Sequence, residues 1–257
     1  MAIHPTAIVS PGAEIDPTCE IGPYAVIGPR VRMGPGNAVG PHALVEGNTV
    51  LGAGNRISGH AVVGAPPQDL KYRGEDTLLE VGDGNVIREF ASVHTGTVGG
   101  GGVTRLGNQC LVMASAHVAH DCILGNRVIV ATFCALAGHV IAEDGVIFGG
   151  VSAVQQFSRV GRLAYVGGIT GVMMDVAPYL MVAGARAEVV GINVVGLQRA
   201  GFTEEQVARV KSAYKTVFRS KLPLKEALAQ VRAELGGNPE IDHWVGFIEA
   251  SERGILR

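Results

Sequence analysis

Large rings are scarce in this chain. Aromatic residues make up 5% of its 257 positions and tryptophan occurs once, although 47% of the residues are hydrophobic and glycines number 37. An interior short of rings has to be filled by small aliphatic side chains and wound with many tight turns, which suits a thin regular coil. Charge of one sign is lacking too. A formal net charge of -2 leaves no global basic field for nucleic acid and no acidic tail, so any charged partner must be met locally. No apolar run reaches the roughly 18 residues of a membrane span, which argues against a transmembrane helix, and no integral membrane segment is expected. The start, MAIHPTAIVS, has no basic stretch leading into an apolar one, so no secretory signal is expected and the cytoplasm is the expected compartment. The four cysteines show no CxxC spacing, which argues against a metal knot and against a disulfide framework.

What the chain does have is a period of six. Stepping from Ile3 in sixes meets an apolar residue each time as far as Val63. The frame resumes at Val81, Ile87 and Val93, then runs from Leu106 to Val172. Self-similarity at a fixed short period marks a solenoid. Four residues after each of these positions stands a compact residue, as at Ala7, Ala13, Ala25 and Ala116, and all four cysteines (Cys19, Cys110, Cys122 and Cys134) fall in this slot as buried small hydrophobes. The glycine that follows many of the aliphatic residues, as in Ile21-Gly22, Leu106-Gly107 and Leu124-Gly125, is expected to supply the conformational freedom of a tight corner. Three hexads close one triangular turn, so residues roughly 18 apart lie above one another at the strand spacing of about 4.8 Å. The mainly β architecture is thus a parallel β-helix over residues 1–190, interrupted by loop insertions near 65–80 and 96–105. The second insertion, GTVGGGGVTR, lacks the Gly-Lys-Ser/Thr of a phosphate loop and reads as a mobile flap.

From about Gly191 the period becomes helical, giving a C-terminal helical domain over 191–257. Thr203 and Gln206 form a capping box ahead of Val207, Val210, Tyr214, Val217 and Phe218. Pro223 opens a second helix and a third follows Pro239. The tail also caps an otherwise open coil end.

Histidine is the side chain best suited to proton transfer near neutral pH, and of the eight in the chain His94, His117, His120 and His139 need weighing. By that rule His120 sits beside the backbone of Gly138, and Asp121 beside His139. An imidazole base, a carboxylate to orient it and a backbone N–H for an oxyanion are the parts of an acyl-transfer site. No serine or cysteine nucleophile stands beside them, so direct transfer to an acceptor hydroxyl or amine fits better than a covalent intermediate. Solvated polar residues would account for one histidine on an outward face, but less readily for the cluster.

The hexads together with QDLKY (68–72), AHVAHDC (116–122), LAGHV (136–140) and GINVVGLQRAGF (191–202) resemble the bacterial UDP-N-acetylglucosamine acyltransferases of lipid A synthesis, over essentially the whole chain. The resemblance implies a left-handed β-helix, a homotrimer with sites between subunits, and transfer of an acyl chain, with or without a 3-hydroxyl, to the 3-position of UDP-N-acetylglucosamine. No cofactor is implied, because the acyl donor rides on the phosphopantetheine of acyl carrier protein. It implies that His120 is the general base, that Asp121 orients it and that the Gly138 amide binds the oxyanion. It also implies that Gln68, Asp69, Lys71, His94, His117, His139 and Gln156 line the substrate site, that Asn193 and Arg199 meet the nucleotide, and that Gly168 sets room for the acyl chain. This sequence departs from the family at Gln155 and Arg186, where histidine is common, and at Val195 and Ala200, where polar residues are. Some members acylate a 3-amino sugar, which leaves ester and amide products both open. Arg199, Arg209, Lys211, Lys215, Arg219 and Lys221 give the tail a basic surface suited to an acidic carrier protein. A non-catalytic zinc-binding β-helix and a coenzyme A-dependent hexapeptide enzyme are the competing readings.

Overall fold

The structure is a computed structural model that describes residues 2–257. Very short strands, most of two residues, succeed one another around three parallel faces. The faces are sheets of 11, 9 and 8 strands, and through the coil strands three apart in sequence pair, until Leu180–Ala183 joins Tyr165–Val166 and takes Glu188–Ile192 antiparallel at the end of the largest sheet. Every aliphatic position of the hexad frame lies in one of these strands, with Ile3 opposite Ile21, Val9 opposite Ile27 and Ile15 opposite Met33. Pairing partners stand 18 residues apart in the plain coil, 30 apart across the first insertion and 25 across the second. The chain is therefore a parallel β-helix, and the column rule holds except where an insertion lengthens a turn.

The aliphatic residues and the compact slot together fill the coil. Leu51, Ile87, Leu124, Leu136 and Phe148 are buried, and so are all four cysteines, which are unpaired thiols. Burial pushes the Cys122 thiol up to about 12 and Cys134 up to about 11, so both behave as inert small hydrophobes. Ile3 and Ile8, in the first described turn, are exposed.

Two expectations about the corners need correction. Of the glycines that follow the aliphatic residues, Gly22, Gly28, Gly52, Gly107 and Gly125 do not supply left-handed backbone, whereas Gly64 after Val63 does, at φ 86°. A Cβ at Gly22 would meet the Val39 carbonyl oxygen at 2.9 Å, and one at Gly107 would meet that of Gly125 at 2.6 Å. They are small because stacked rungs approach closely there. Left-handed backbone falls two residues later, on side chains such as Tyr24, Asp121, Arg127, Phe133 and His139, with φ between 54° and 63°. The insertions are also shorter than expected, since strands at Val62–Ala65, Leu78–Val81 and Val103–Leu106 claim their ends.

After Val172 the coil ends in a hairpin of Leu180–Ala183 with Glu188–Ile192. Helices α1 (Val194–Arg199), α2 (Glu204–Tyr214), α3 (Leu224–Leu235) and α4 (Pro239–Glu249) follow, with a π-helical turn at Lys215–Arg219 after α2. The Thr203–Gln206 capping box is formed in both directions. Trp244 is buried and its indole N–H donates to the Pro178 carbonyl oxygen at 3.1 Å, fastening α4 to the end of the coil. None of these helices is long and apolar enough to cross a membrane.

Candidate active site

The corner that joins the second face to the third carries the histidine cluster. Strand His117–Val118 leads into it and Ile123–Leu124 leads out, while Ala135–Leu136 and Ile141–Ala142 do the same one rung on. His120 and Asp121 are both buried at this corner. His120 Nδ1 lies 2.8 Å from Asp121 Oδ2. With the carboxylate as acceptor, Nδ1 carries the proton, which leaves Nε2 with its lone pair free to act as a base. The imidazole lies over Gly138, where a Cβ would come within 2.5 Å of Cε1 and 2.7 Å of Nε2, so only glycine fits beneath this ring. The same position of the repeat is proline at Pro5, Pro11, Pro17, Pro23, Pro29, Pro35 and Pro41. The coil therefore needs no N–H there, and at Gly138 that amide remains available to a ligand.

Around this pair the other histidines are arranged as neutral rings. His139 stands edge-on to His120 with centroids 5.1 Å apart, and Phe157 stacks on its other side at 4.2 Å. His94 and His117 meet edge-on at 5.0 Å. His94 Nδ1 is anchored 2.7 Å from the Pro66 carbonyl oxygen, and His117 Nδ1 lies 2.8 Å from the Ser92 hydroxyl. Burial pushes His94 and His139 below the usual imidazole range; it takes His117 down to about 4, with His94 and His120 adding to the shift. Burial thus favours the neutral form of all three rings.

His120, Asp121 and His139 offer nitrogen and oxygen atoms all within 4.8 Å of one another. The carboxylate of Asp121 already accepts the Thr97 amide, the Thr97 hydroxyl and His120, at 2.6–2.8 Å. His120 and Asp121 are thus held as a hydrogen-bonded pair, with His139 Nε2 standing off at 3.7 Å from Asp121 Oδ2.

The first insertion reaches this corner. Asp69 and Lys71 line a cavity of about 250 Å³ together with Tyr72, Thr97, His139 and Phe157, whereas Gln68 is exposed and outside it. A larger groove of about 820 Å³ runs from Asp121 and His139 past Ile123 and Ile141 to Arg159 and Arg253 near the chain end. Gln155 and Gln156 stand exposed beside Phe157, one rung beyond Gly138.

The remaining expected site residues lie elsewhere on the chain. Asn193 and Arg199 line a separate cavity of about 380 Å³ with Arg127, Leu163, Tyr165, Val195 and Ala200, at the corner joining the third face to the first. Asn193 is buried. Its oxygen accepts the Gly196 amide as the cap of α1, and its amide donates to the Leu163 carbonyl oxygen at 2.9 Å, so much of the side chain is committed to structure. Gly168 lies exposed at the corner joining the first face to the second, and Arg186 lies exposed in the hairpin loop. The basic tail surface also needs correction at Arg209, which is neutralised by Glu205 at 2.8 Å and by buried Glu240 at 2.7 Å.

The second insertion is not a free flap. Through Thr97 it is bonded to Asp121, and Thr104 at its far end accepts the Asp121 amide on its hydroxyl oxygen at 2.7 Å. Thr97, Thr104, Ser92 and Phe157 are the site residues that sequence reasoning misses. The last could have been found by extending the His139 column one further rung.

A parallel β-helix of six-residue repeats with a buried His–Asp pair at one corner defines the class of hexapeptide-repeat acyltransferases. Residues 104–138 match the family model of bacterial transferase hexapeptide repeats, and residues 175–256 match the second domain of UDP-N-acetylglucosamine O-acyltransferase. A protein of Anaeromyxobacter sp. (strain K) named acyl-[acyl-carrier-protein]–UDP-N-acetylglucosamine O-acyltransferase is 67% identical over the full length of both chains. One of the same name from Myxococcus xanthus is 54% identical over 99% of each. The crystal structure of UDP-N-acetylglucosamine O-acyltransferase from Moraxella catarrhalis superposes with a TM-score of 0.96 at 40% identity, covering all of both chains. The chain belongs to the UDP-N-acetylglucosamine O-acyltransferase family and is an acyltransferase.

Proposed function

We propose that this chain transfers a 3-hydroxyacyl group from acyl carrier protein to the 3-hydroxyl of UDP-N-acetylglucosamine, the first step of lipid A biosynthesis, with His120 as general base. The observation that carries this reading is the 2.8 Å bond between His120 Nδ1 and buried Asp121, with the ring lying over Gly138. Nε2 of His120 takes the proton of the sugar hydroxyl as its oxygen attacks the thioester carbonyl carbon. The oxyanion that forms is met by the amide of Gly138. Collapse breaks the carbon–sulfur bond, and the imidazolium returns its proton to the departing pantetheine thiolate. The pantetheine arrives as part of the substrate, so this route asks for no resident cofactor. Neutral His94, His117 and His139, with Asp69, Lys71, Gln155 and Gln156 near the same corner, are the groups we assign to sugar and donor. The curated relatives are named O-acyltransferases, which supports the ester over the amide.

The same reading makes the working unit a homotrimer with sites between subunits. On one chain the catalytic pair, the Asn193–Arg199 cavity and Gly168 occupy three different corners of the triangular coil. They can serve one substrate only if a neighbouring copy brings its own corners alongside. Phe133, Val151 and Ile169, exposed at the Gly168 corner by 62%, 59% and 74%, offer apolar surface for that contact. Asn193, Arg199 and Arg186 would then act on a neighbour's substrate, and Lys211, Lys215, Arg219 and Lys221 would steer the acidic carrier protein. We place the reaction in the cytoplasm. His120→Ala is expected to lower turnover with acyl carrier protein and UDP-N-acetylglucosamine by roughly 100-fold or more, the scale of losing a general base. Near-normal turnover in that variant would reject the assignment.

A further inference from the structure

We infer that Thr97, carried by the second insertion, is a positioning residue of the acyl-transfer site that acts through Asp121. This inference rests on the reading of His120 as the base. The carboxylate of Asp121 is 1% exposed and has three donors on its two oxygens. The Thr97 amide donates to Oδ1 at 2.8 Å, and the Thr97 hydroxyl donates to Oδ2 at 2.6 Å, the same oxygen that takes His120 Nδ1 at 2.8 Å. One residue therefore grips both oxygens and sets the plane of the carboxylate. That plane, through the shared Oδ2, sets the direction in which the imidazole points.

The insertion is built to deliver that grip. In an uninterrupted coil the corner residue beneath Asp121 would lie three positions after Val93, and that position is Gly96, where the excursion opens. The loop then folds back on itself, with the amides of Gly100 and Gly102 donating to the Thr97 carbonyl oxygen at 3.0 and 2.8 Å. Gly101 and Gly102 take φ of 93° and 82°, which only glycine adopts readily. At Gly100 a Cβ would lie 2.0 Å from Cγ of Asp121, so the turn presses its bare backbone against the carboxylate and keeps water from it. The run of four glycines, which resembles a flexible flap, is what allows the turn to close this tightly.

Thr97→Val keeps the amide bond to Oδ1 and most of the side-chain volume while removing the hydroxyl. It is expected to lower kcat about tenfold, within the range measured for coupled neighbours, while KM for UDP-N-acetylglucosamine stays within about twofold. Thr97→Ser restores the hydroxyl and is expected to restore most of kcat. In an Asp121→Ala background the valine substitution should cost less than about twofold, because the group it acts through is gone. Thr97→Ala gives the same comparison should the valine variant fail to fold. Unchanged kcat in Thr97→Val, or a penalty that multiplies with that of Asp121→Ala, would overturn the inference. Full activity in His120→Ala would instead overturn the reading of the base, so the two failures are distinguishable.

Discussion

Two corners of this coil carry histidine at the same position of the repeat, and they differ in nearly everything that matters for chemistry. At the first, Tyr24, His42, His60 and Phe90 stack rung upon rung with centroids 5.0–5.1 Å apart and rings within 13° of parallel. At the second, Asp121, His139 and Phe157 occupy the same left-handed backbone position, and His139 and Phe157 stack in the same way. Stacking is therefore a product of the coil rise and carries no functional signal. What differs is the residue just before the column. At the first corner it is Pro23, Pro41, Gly59 and Glu89; at the second it is His120, with Gly138 one rung on. Only the second corner has a carboxylate in its column, and only there does an insertion close over it.

The comparison is broken most severely by a methyl group. Gly138→Ala would drive a Cβ into the His120 ring and turn it away from Asp121. Turnover should fall by about 100-fold or more, as when a base or an oxyanion donor is lost. Gly59→Ala is the matching change at the first corner, where the Cβ would meet the Pro41 carbonyl oxygen at 2.8 Å. That variant should lower the melting temperature and leave kcat per folded enzyme alone. Steady-state kinetics and thermal unfolding on the pair separate the two; equal loss of kcat in both would show that the corners are not specialised.

A smaller effect sharpens the same contrast through pH. Burial holds His117 down to about 4, below its value in an unfolded chain, so the unfolded state binds the proton first as pH falls. The stability this histidine contributes is present above about pH 6.5 and is lost as pH falls from there toward 4. His117→Gln should flatten that acid limb. Discounting for its partial exposure to roughly 1 kcal/mol, the two melting curves should converge by about 2–4 °C between pH 7 and 4.5. Parallel curves would show that His117 is not buried as a neutral ring.

Most of this architecture could be read from the residues, because a six-residue period maps directly onto rungs. The frame from Ile3 to Val172 names the inward strand residues, and the column rule brings Asp121 to His139 and His120 to Gly138 without coordinates. The rule fails where the period fails. Thr97 meets Asp121 across 24 residues, a separation that no whole number of 18-residue turns supplies, so its bond is invisible to a reading built on stacked rungs. Glycine misleads for a related reason. Gly22 and Gly107 are small to admit the neighbouring rung, whereas the left-handed positions go to residues such as His42 and Asp121, whose φ composition does not reveal. Arg209 shows the limit for charge, since its partners Glu205 and Glu240 come from two helices and only the first is near it in sequence.

The weakest expected effect belongs to the first corner itself. His42→Ala and His60→Ala together remove the middle of an exposed ring ladder whose ends, Tyr24 and Phe90, are 57% and 62% accessible. An offset pair of such rings contributes about 0.5–1.5 kcal/mol, so the double variant should lose about that much stability, measured by denaturant unfolding. No hydrogen-bonded carboxylate couples these imidazoles to His120, and turnover should stay within about twofold of the parent enzyme. His139→Ala makes the counterpart substitution at the corner where a carboxylate is present: His139 Nε2 lies 3.7 Å from Asp121 Oδ2 and the ring walls the Asp69–Lys71 cavity. That single change should cost more activity than the double change does. If removing His42 and His60 lowered kcat as much as removing His139, histidine at this repeat position would matter wherever it stands, and the distinction between the two corners would collapse.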